Sequence, residues 1–475
     1  MREVDVLPNR FRPALVSVIA VGCMGILPGL FLGALPRCLA DEPQKPKNVL
    51  FLFSDDQRFD TIHALGNKEI RTPVLDRLTE EGFTFTHAFI MGSTHPAVCM
   101  PSRAMLMSGR GLWRTPVNLE NVQTWPEVFR RHGYHTFGVG KWHNGAPSYA
   151  RSFEAGGAIF FGGMHDHFAI PVFDFHPDGK YPSQDRKIGK KFSSELFADE
   201  AIRFLKTYKE DRPFFAYISF TSPHDPRTPP GEFIRMYAPE TVALPPNFMP
   251  EHPFDNGELK IRDELLASFP RDPQDIRRQI AEYYGMISHL DAQVGRILET
   301  LEETGLASQT LVIFASDNGL AVGRHGLMGK QNLYEHSIRV PLILKGPGVE
   351  AGKRSDALVY LFDLFPTIAE WLDVPLPDGV EGKSLLPVLR GEVAEVRDAV
   401  YAAYRDWQRA VREKRWKLIR YRVGEERHTQ LFDLAEDPWE LHNLADRAEY
   451  QAERTRLEER LNALQKEWGD PAADF

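Results

Sequence analysis

The sequence predicts an α/β fold: a large, mostly parallel sheet flanked by helices, followed by a smaller C-terminal antiparallel sheet with a closing helix. Three observations lead there. Four apolar runs, at 47–53, 136–139, 214–220 and 310–315, pass straight into polar residues, as strands buried on both faces do. Helical patterns over 193–208 and 280–303 alternate with them. Beyond Leu372 the texture changes: Pro375, Pro377 and Gly379 mark a boundary, 400–422 alternates in short strand-like runs, and 450–468 is amphipathic at helical spacing.

The chain has 475 residues, enough for one large domain and a smaller one, and its 43% hydrophobic and 26% charged content is that of an ordinary globular protein. Residues 1–40 read as a signal peptide, with Arg10 and Arg12 ahead of an apolar run from Ala14 to Leu35 and a small-residue cleavage site at Cys38-Leu39-Ala40. Export, periplasmic or secreted, is the expectation. Glu3, Asp5 and the length of the run keep an uncleaved anchor open, and lipid attachment at Cys23 is the weaker alternative. The expected division is therefore 1–40, then 41–375 for the large domain and 376–475 for the C-terminal α+β subdomain.

Losing residues 1–40 removes four arginines and two acids, which takes the formal charge from −9 to −11. An acidic chain argues against nucleic acid as a partner and leaves anion binding to local charge. The same cut removes Cys23 and Cys38, so Cys99 alone remains and no intrachain disulfide can form. It is either a small buried hydrophobe or a reactive group.

Between the leader and the boundary each element has a local cause. The 47–53 run delivers Asp55 and Asp56 to a strand's carboxyl end, Thr72-Pro73 opens a helix with Pro in its first turn, and a second strand follows over 83–89. The 136–139 run leads to Lys141 and His143, 214–220 to His224, and 310–315 to Asp317 and Asn318. Ligands of open α/β sheets bind outside the carboxyl ends of the strands, where all four clusters fall. The Gly-, Phe- and His-rich stretch 149–181 and the proline-rich stretch 226–260 read as long loops over that edge.

Asp55, Asp56, Asp317 and Asn318 offer only oxygen ligands, the set suited to Ca²⁺ or, less well, Mg²⁺. Pro101 is placed to begin a helix, putting Cys99 just before an N-terminus, where backbone N–H groups favour an anion. Arg103, four residues on, would pair with Cys99 or with an anionic substrate. With Lys141, His143, His224 and Lys330 the strand ends describe an anion site.

Together these residues resemble the formylglycine-dependent sulfatases of the alkaline-phosphatase superfamily, from about Asn48 to the C-terminal region. The most specific element is Cys99-Met100-Pro101-Ser102-Arg103, a C-x-P-S-R motif; Ser54-Asp55-Asp56, Gly140-Lys141-Trp142-His143, Ser222-Pro223-His224, Ser316-Asp317-Asn318-Gly319 and Gly329-Lys330 match as well. The resemblance implies that a maturation enzyme oxidises Cys99 to formylglycine, whose hydrate supplies the nucleophile. It implies further that Asp55, Asp56, Asp317, Asn318 and residue 99 hold Ca²⁺, that Lys141, Lys330 and Arg103 stabilise charge on the sulfuryl group, that His224 protonates the leaving oxygen and that His143 takes the second hydroxyl's proton. The expected substrate is a sulfated small molecule or glycan. Asn144 departs from the pattern, which commonly has Leu there.

Substrate selectivity is expected from the Gly162–His167 stretch, with His165, Asp166 and His167 toward sugar hydroxyls and Arg227 toward a second anion. A phosphodiesterase or phosphonate monoester hydrolase on the same scaffold is the nearest alternative. A non-catalytic binder of sulfated glycans is the other. Exo- or endo-action and the oligomeric state stay open.

Overall fold

In the computed structural model residues 45–472 and Phe475 are described; the leader read at 1–40, with Cys23 and Cys38, lies outside the described residues. The central eight-stranded sheet runs, in spatial order, Lys353–Ser355, Phe83–Phe85, Leu342–Lys345, Thr310–Ser316, Asn48–Ser54, Phe214–Ser219, His135–Lys141 and Ala155–Phe160. From Thr310–Ser316 to Ala155–Phe160 every neighbouring pair is parallel. Their carboxyl ends therefore open on one edge, while Leu342–Lys345 runs antiparallel to its neighbours.

Alternation along these strands builds two cores. Val49, Phe51 and Phe53 join Phe215, Tyr217, Leu311 and Ile313 on one face, against the helices Cys99–Ser108 and Leu364–Trp371. Leu50 and Leu52 join Ala216, Ile218, Val312 and Phe314 on the other, covered by Pro73–Glu81, Ser193–Thr207 and Pro273–Glu303. Each fully buried Leu, Ile or Phe contributes roughly 2 kcal/mol by apolar burial alone. A strand enclosed on both faces has no polar face, which is why these runs read as continuous apolar segments.

The first core continues into a second sheet ordered Glu426–Asp433, Trp416–Val423, Gln408–Glu413, Ala399–Tyr404 and Gly92–Ser93. Its first four strands are antiparallel, and helix Gln451–Glu467 buries Leu457, Leu461 and Leu464. The Ala399–Tyr404 strand pairs in parallel with Gly92–Ser93, so the C-terminal sheet is stitched to the segment leading into Cys99.

Three sequence expectations need correction. The strand read over 83–89 is broken into Phe83–Phe85 and Ala88–Phe89, which belong to different sheets, because Thr86 turns the chain by donating its N–H and Oγ1–H to the Ser355 carbonyl. The 149–181 stretch is not all loop. It contains the edge strand Ala155–Phe160, hidden in the sequence because Gly156 and Gly157 interrupt the alternation; a Cβ on Gly156 would fall 2.4 Å from the Gly138 carbonyl oxygen. Finally, the helix expected from Pro101 begins at Cys99, with Ser102 N–H already donating to the Val98 carbonyl. Among the described residues no helix is long and apolar enough to cross a membrane.

Candidate active site

Four strand ends and one helix start meet at the carboxyl edge of the sheet. Asp55 and Asp56 follow Asn48–Ser54, Asp317 and Asn318 follow Thr310–Ser316, Lys141 closes His135–Lys141, and His224 lies just beyond Phe214–Ser219. Cys99 opens the helix Cys99–Ser108 and is buried.

The buried charges are paired. Lys141 Nζ donates to Asp55 Oδ2 at 2.6 Å, and Lys330 Nζ donates to Asp56 Oδ1 at 2.6 Å. Arg103 Nε donates to Asp317 Oδ2 at 2.9 Å, and its Nη1 reaches the Ser219 hydroxyl at 2.6 Å and the Lys141 carbonyl at 3.0 Å. The sequence suggested Cys99 or an anion as the partner of Arg103; its Nε and Nη1 brace the floor of the site from a fully buried position, and its Nη2 has no hydrogen-bond partner in the protein. Asp56 takes a positive φ of 67° and presents its N–H to Asp317 Oδ1 at 3.0 Å, which locks the two strand ends together.

Two oxygens in this cluster remain unsatisfied. Asp55 Oδ1 and Asn318 Oδ1 are buried and accept no hydrogen bond. Buried polar atoms without partners are rare and costly, and two oxygens among acidic neighbours fit a hard cation. Ligand atoms of Asp55, Cys99 and Asp317 lie within 4.8 Å of one another, as do those of Asp55, Asp56 and His224. The residues present thus suit Ca²⁺ or Mg²⁺ held by Asp55, Asp56, Asp317 and Asn318.

Titration follows from the same packing. Burial, reinforced by the facing Asp317, pushes the Asp55 carboxyl up to about 6 despite Lys141. Burial also opposes ionisation of Asp317, yet Arg103, Lys141 and Lys330 hold it below the usual carboxylate range. Lys330 stays charged: burial works against its ammonium, but Asp56 raises it well above the ordinary lysine value. Burial, then Lys141, Arg103 and Lys330, push His143 down to about 2 and keep its ring neutral.

Cys99 Sγ sits 3.3 Å from His143 Nδ1 and 3.6 Å from Lys141 Nζ. Burial raises the thiol above its ordinary value although Lys141 and Lys330 oppose it. Reactive cysteines are partly exposed and shifted the other way, so an unmodified Cys99 is a poor nucleophile at neutral pH.

The loop residues divide. His165 and Asp166 are exposed, and Asp166 Oδ1 accepts the Phe168 N–H in a local turn. His167 is buried and turned inward: Nδ1 meets the Ser193 hydroxyl at 2.7 Å and Nε2 donates to the His224 carbonyl at 2.9 Å. Gly163 lies against the catalytic-edge histidine, where a Cβ would fall 2.9 Å from His143 Nε2. Arg227 is buried, held through Nη2 by Gln279 Oε1 at 2.5 Å, with Nη1 unpartnered.

Other residues support the site from outside the motifs. Asp225 faces His224 Nδ1 at 3.4 Å and pairs with Arg262. Glu264 accepts the Met328 and Gly329 N–H groups, each at 2.8 Å, and so fixes the approach to Lys330. Asn144 Nδ2 donates to the Met100 and Val117 carbonyls at 3.0 and 2.6 Å, pinning the start of the Cys99 helix. Asp225 was discoverable as the acid next to a singled-out histidine. Arg262 and Glu264 sit in a loop without periodicity and carry no local signal.

The comparisons with known proteins agree with this geometry. A family model described as Sulfatase matches residues 47–374, and one described as N-sulphoglucosamine sulphohydrolase, C-terminal, matches 323–467. An ulvan-active sulfatase of Formosa agariphila is 28% identical, over 90% of this chain and 83% of its own. An N-acetylglucosamine-6-O-sulfatase of Bacteroides thetaiotaomicron is 26% identical, over 93% and 91%. A solved structure in complex with its substrate D-glucosamine-2-N,6-O-disulfate superposes with TM-score 0.74 at 23% identity, covering 91% of this chain and 99% of that one. The phosphonate monoester hydrolase of Agrobacterium radiobacter superposes with TM-score 0.72 at 24% identity, covering 89% and 96%.

Proposed function

Because the chain belongs to the sulfatase family of the alkaline-phosphatase superfamily and is a sulfuric ester hydrolase, we propose that it removes sulfate from a sulfated carbohydrate using a formylglycine made from Cys99. The observation that carries this reading is the position of Cys99: a buried thiol, unsuited to act as a thiolate, within reach of Lys141, His143 and an oxygen-lined cation cradle. The hydrated aldehyde would supply the attacking hydroxyl, and Asp55, Asp56, Asp317 and Asn318 would hold a divalent cation that lends Lewis-acid polarisation to the sulfuryl oxygens.

The chain's own residues do the rest. Asp317, kept ionised by its cationic neighbours, accepts the attacking proton. Lys141 and Lys330 offset charge on the equatorial oxygens, while Arg103 holds Asp317 and the strand ends in register. His224 donates a proton to the leaving oxygen. His143, whose Nδ1 lies 3.3 Å from the position-99 side chain, takes the proton of the second hydroxyl so that sulfate departs.

For the substrate, the names of the two curated relatives support a sulfated polysaccharide or amino sugar. The exposed His165 and Asp166 suit sugar hydroxyls, and the spare Nη1 of Arg227 suits a second anionic group. His167 is assigned a different task, that of steadying the His224 backbone. Export through the 1–40 leader and encounter with a formylglycine-generating enzyme complete the reading.

Mass spectrometry of the residue-99 peptide from the native host, together with sulfate release from a panel of sulfated sugars, tests it. The expected result is an aldehyde at position 99, turnover of at least one sugar sulfate, and a folded but inactive Cys99→Ala variant. An unmodified Cys99 in protein that still binds sulfated glycans would make it a binder. Faster turnover of phosphate or phosphonate esters by matured enzyme would make it a phosphorus-ester hydrolase.

A further inference from the structure

Lys330 lies outside any helix or strand, so side chains must take the buried N–H groups that lead up to it. Glu264 accepts those of Met328 and Gly329, and the next, that of Lys330 itself, goes to Gln331 Oε1 at 2.9 Å. Gln331 is buried, and the rest of its carboxamide is committed as well. Nε2 donates to the Pro96 carbonyl at 3.0 Å and to Asp263 Oδ2 at 2.7 Å, one acceptor for each of its hydrogens.

The far partner places this side chain in the reaction. Pro96 stands three residues before Cys99, and its carbonyl also receives the Val98 N–H at 3.1 Å, in the turn that opens the Cys99 helix. One carboxamide therefore spans from the backbone of Lys330, whose ammonium holds Asp56, to the turn that presents position 99.

Its orientation is fixed from two further sides. Burial opposes ionisation of Asp263, yet Lys330 and the Gln331 N–H hold its carboxyl below the ordinary value, which makes the Gln331 bond a charge-assisted one. Asp263 Oδ1 is braced in turn by Arg262 Nη1 at 3.2 Å. On the backbone side the Gln331 carbonyl accepts Gln408 Nε2 at 3.2 Å, from the C-terminal sheet. Gly329 leaves room for the fold-back: a Cβ there would fall 2.3 Å from Gln331 Oε1 and 3.1 Å from Asp263 Cβ.

We propose that Gln331 is a positioning residue for sulfate-ester cleavage, holding Lys330 and the turn before residue 99 at one separation through a carboxamide that Asp263 keeps in orientation. The inference rests on the reading above for the roles of Lys330 and residue 99.

Steady-state sulfate release by matured enzyme, from 4-nitrophenyl sulfate and from a sugar sulfate, tests this. Gln331→Met keeps the volume and loses all three side-chain bonds. Its kcat should fall about ten- to hundredfold on both substrates, the effect of a displacement of about 1 Å at the reacting groups. KM should stay within about threefold, because the loss lies in the reacting geometry rather than in ground-state binding. Gln331→Glu keeps the Lys330 bond but turns an acceptor toward Asp263 and the Pro96 carbonyl, and should lose kcat by a similar factor. Adding Asp263→Asn exchanges donor and acceptor across that contact and should recover at least about fivefold of kcat. A purely structural role would show no such recovery, since neither substitution changes the volume appreciably.

Should Gln331→Met fail to fold, Gln331→Glu with and without Asp263→Asn decides. Wild-type kcat in Gln331→Met, or a Gln331→Glu loss that Asp263→Asn leaves untouched, would overturn the positioning role in an enzyme whose wild type still releases sulfate. A matured wild type that releases none would instead overturn the reading on which it rests.

Discussion

The assignment of His224 to the leaving group makes a prediction that separates proton donation from every other service a buried histidine could render. His224 Nδ1 lies 2.9 Å from the Asp225 carbonyl oxygen and donates to it, so Nε2 is the nitrogen that would carry the transferable proton in the doubly protonated ring. Nε2 stands 3.6 Å from Asp56 Oδ2, at the mouth of the cation cradle where an ester oxygen would emerge. Positioned general acids contribute about 10²–10⁴-fold, or roughly 2.7–5.4 kcal/mol of barrier. The full amount is needed only where the leaving group is a poor one. In His224→Ala, kcat for a sugar sulfate should therefore fall by about 10²–10⁴-fold, because an alkoxide cannot leave without a proton. For 4-nitrophenyl sulfate, whose phenolate leaves unassisted, the loss should stay within about tenfold. His224→Gln, which keeps volume and polarity, should behave the same way. Steady-state sulfate release on both substrates gives the answer. Equal losses on the two would refute the acid role and move His224 to binding or support of Asp56.

Asp225→Asn removes the carboxylate that faces His224 Nδ1 and strands Arg262. It should lower sugar-sulfate turnover about tenfold or more while leaving 4-nitrophenyl sulfate turnover less affected, since the ring that serves the leaving oxygen loses the carboxylate that orients it. Chelation should abolish activity and lower the melting temperature, because Asp55 Oδ1 and Asn318 Oδ1 lose the partner they lack in the protein itself; differential scanning calorimetry with Ca²⁺ added back should restore both, and zinc should do so poorly. Asn144→Leu gives up two hydrogen bonds to the Met100 and Val117 carbonyls but also discards an unpaired buried Oδ1, so a net cost of about 1–2 kcal/mol is expected in denaturant unfolding. Glu335→Ala leaves Arg412 buried without its acid, while Lys417 keeps Glu440 at 2.8 Å, and should cost about 3 kcal/mol, more than Glu335→Gln. Burial works against ionisation of Glu335, but Lys417, Arg412 and Arg339 hold its carboxyl below the ordinary range; its contribution is complete above the unfolded glutamate value and is lost as pH falls through and below it.

What the sequence could and could not reveal follows from which interactions are local. The parallel strands are legible because burial on both faces makes them apolar throughout, and a parallel sheet sends every carboxyl end to the same edge. That alone brings Asp55, Asp56, Lys141, His224, Asp317 and Asn318 together before any side-chain contact is considered. The edge strand Ala155–Phe160 is illegible for the opposite reason, since its glycines serve close approach and erase the periodicity that would announce it. Loop residues fail in a third way. His165 and His167 look alike in the chain, yet one faces solvent and the other is drawn under His224 by Ser193 and a backbone carbonyl, contacts 26 and 57 residues away. The orientation of a loop side chain is decided by partners that the loop's own sequence does not contain. Arg103 shows the same principle at the centre of the motif: spacing put it one helical turn from Cys99, but its hydrogen bonds go to Asp317, Ser219 and the Lys141 carbonyl, each from a different strand end. Its spacing from Cys99 is thus set by the need to reach the strand ends from the first turn of the helix, and a lysine there could not make those bonds together, because an ammonium lacks the planar fork that spans them.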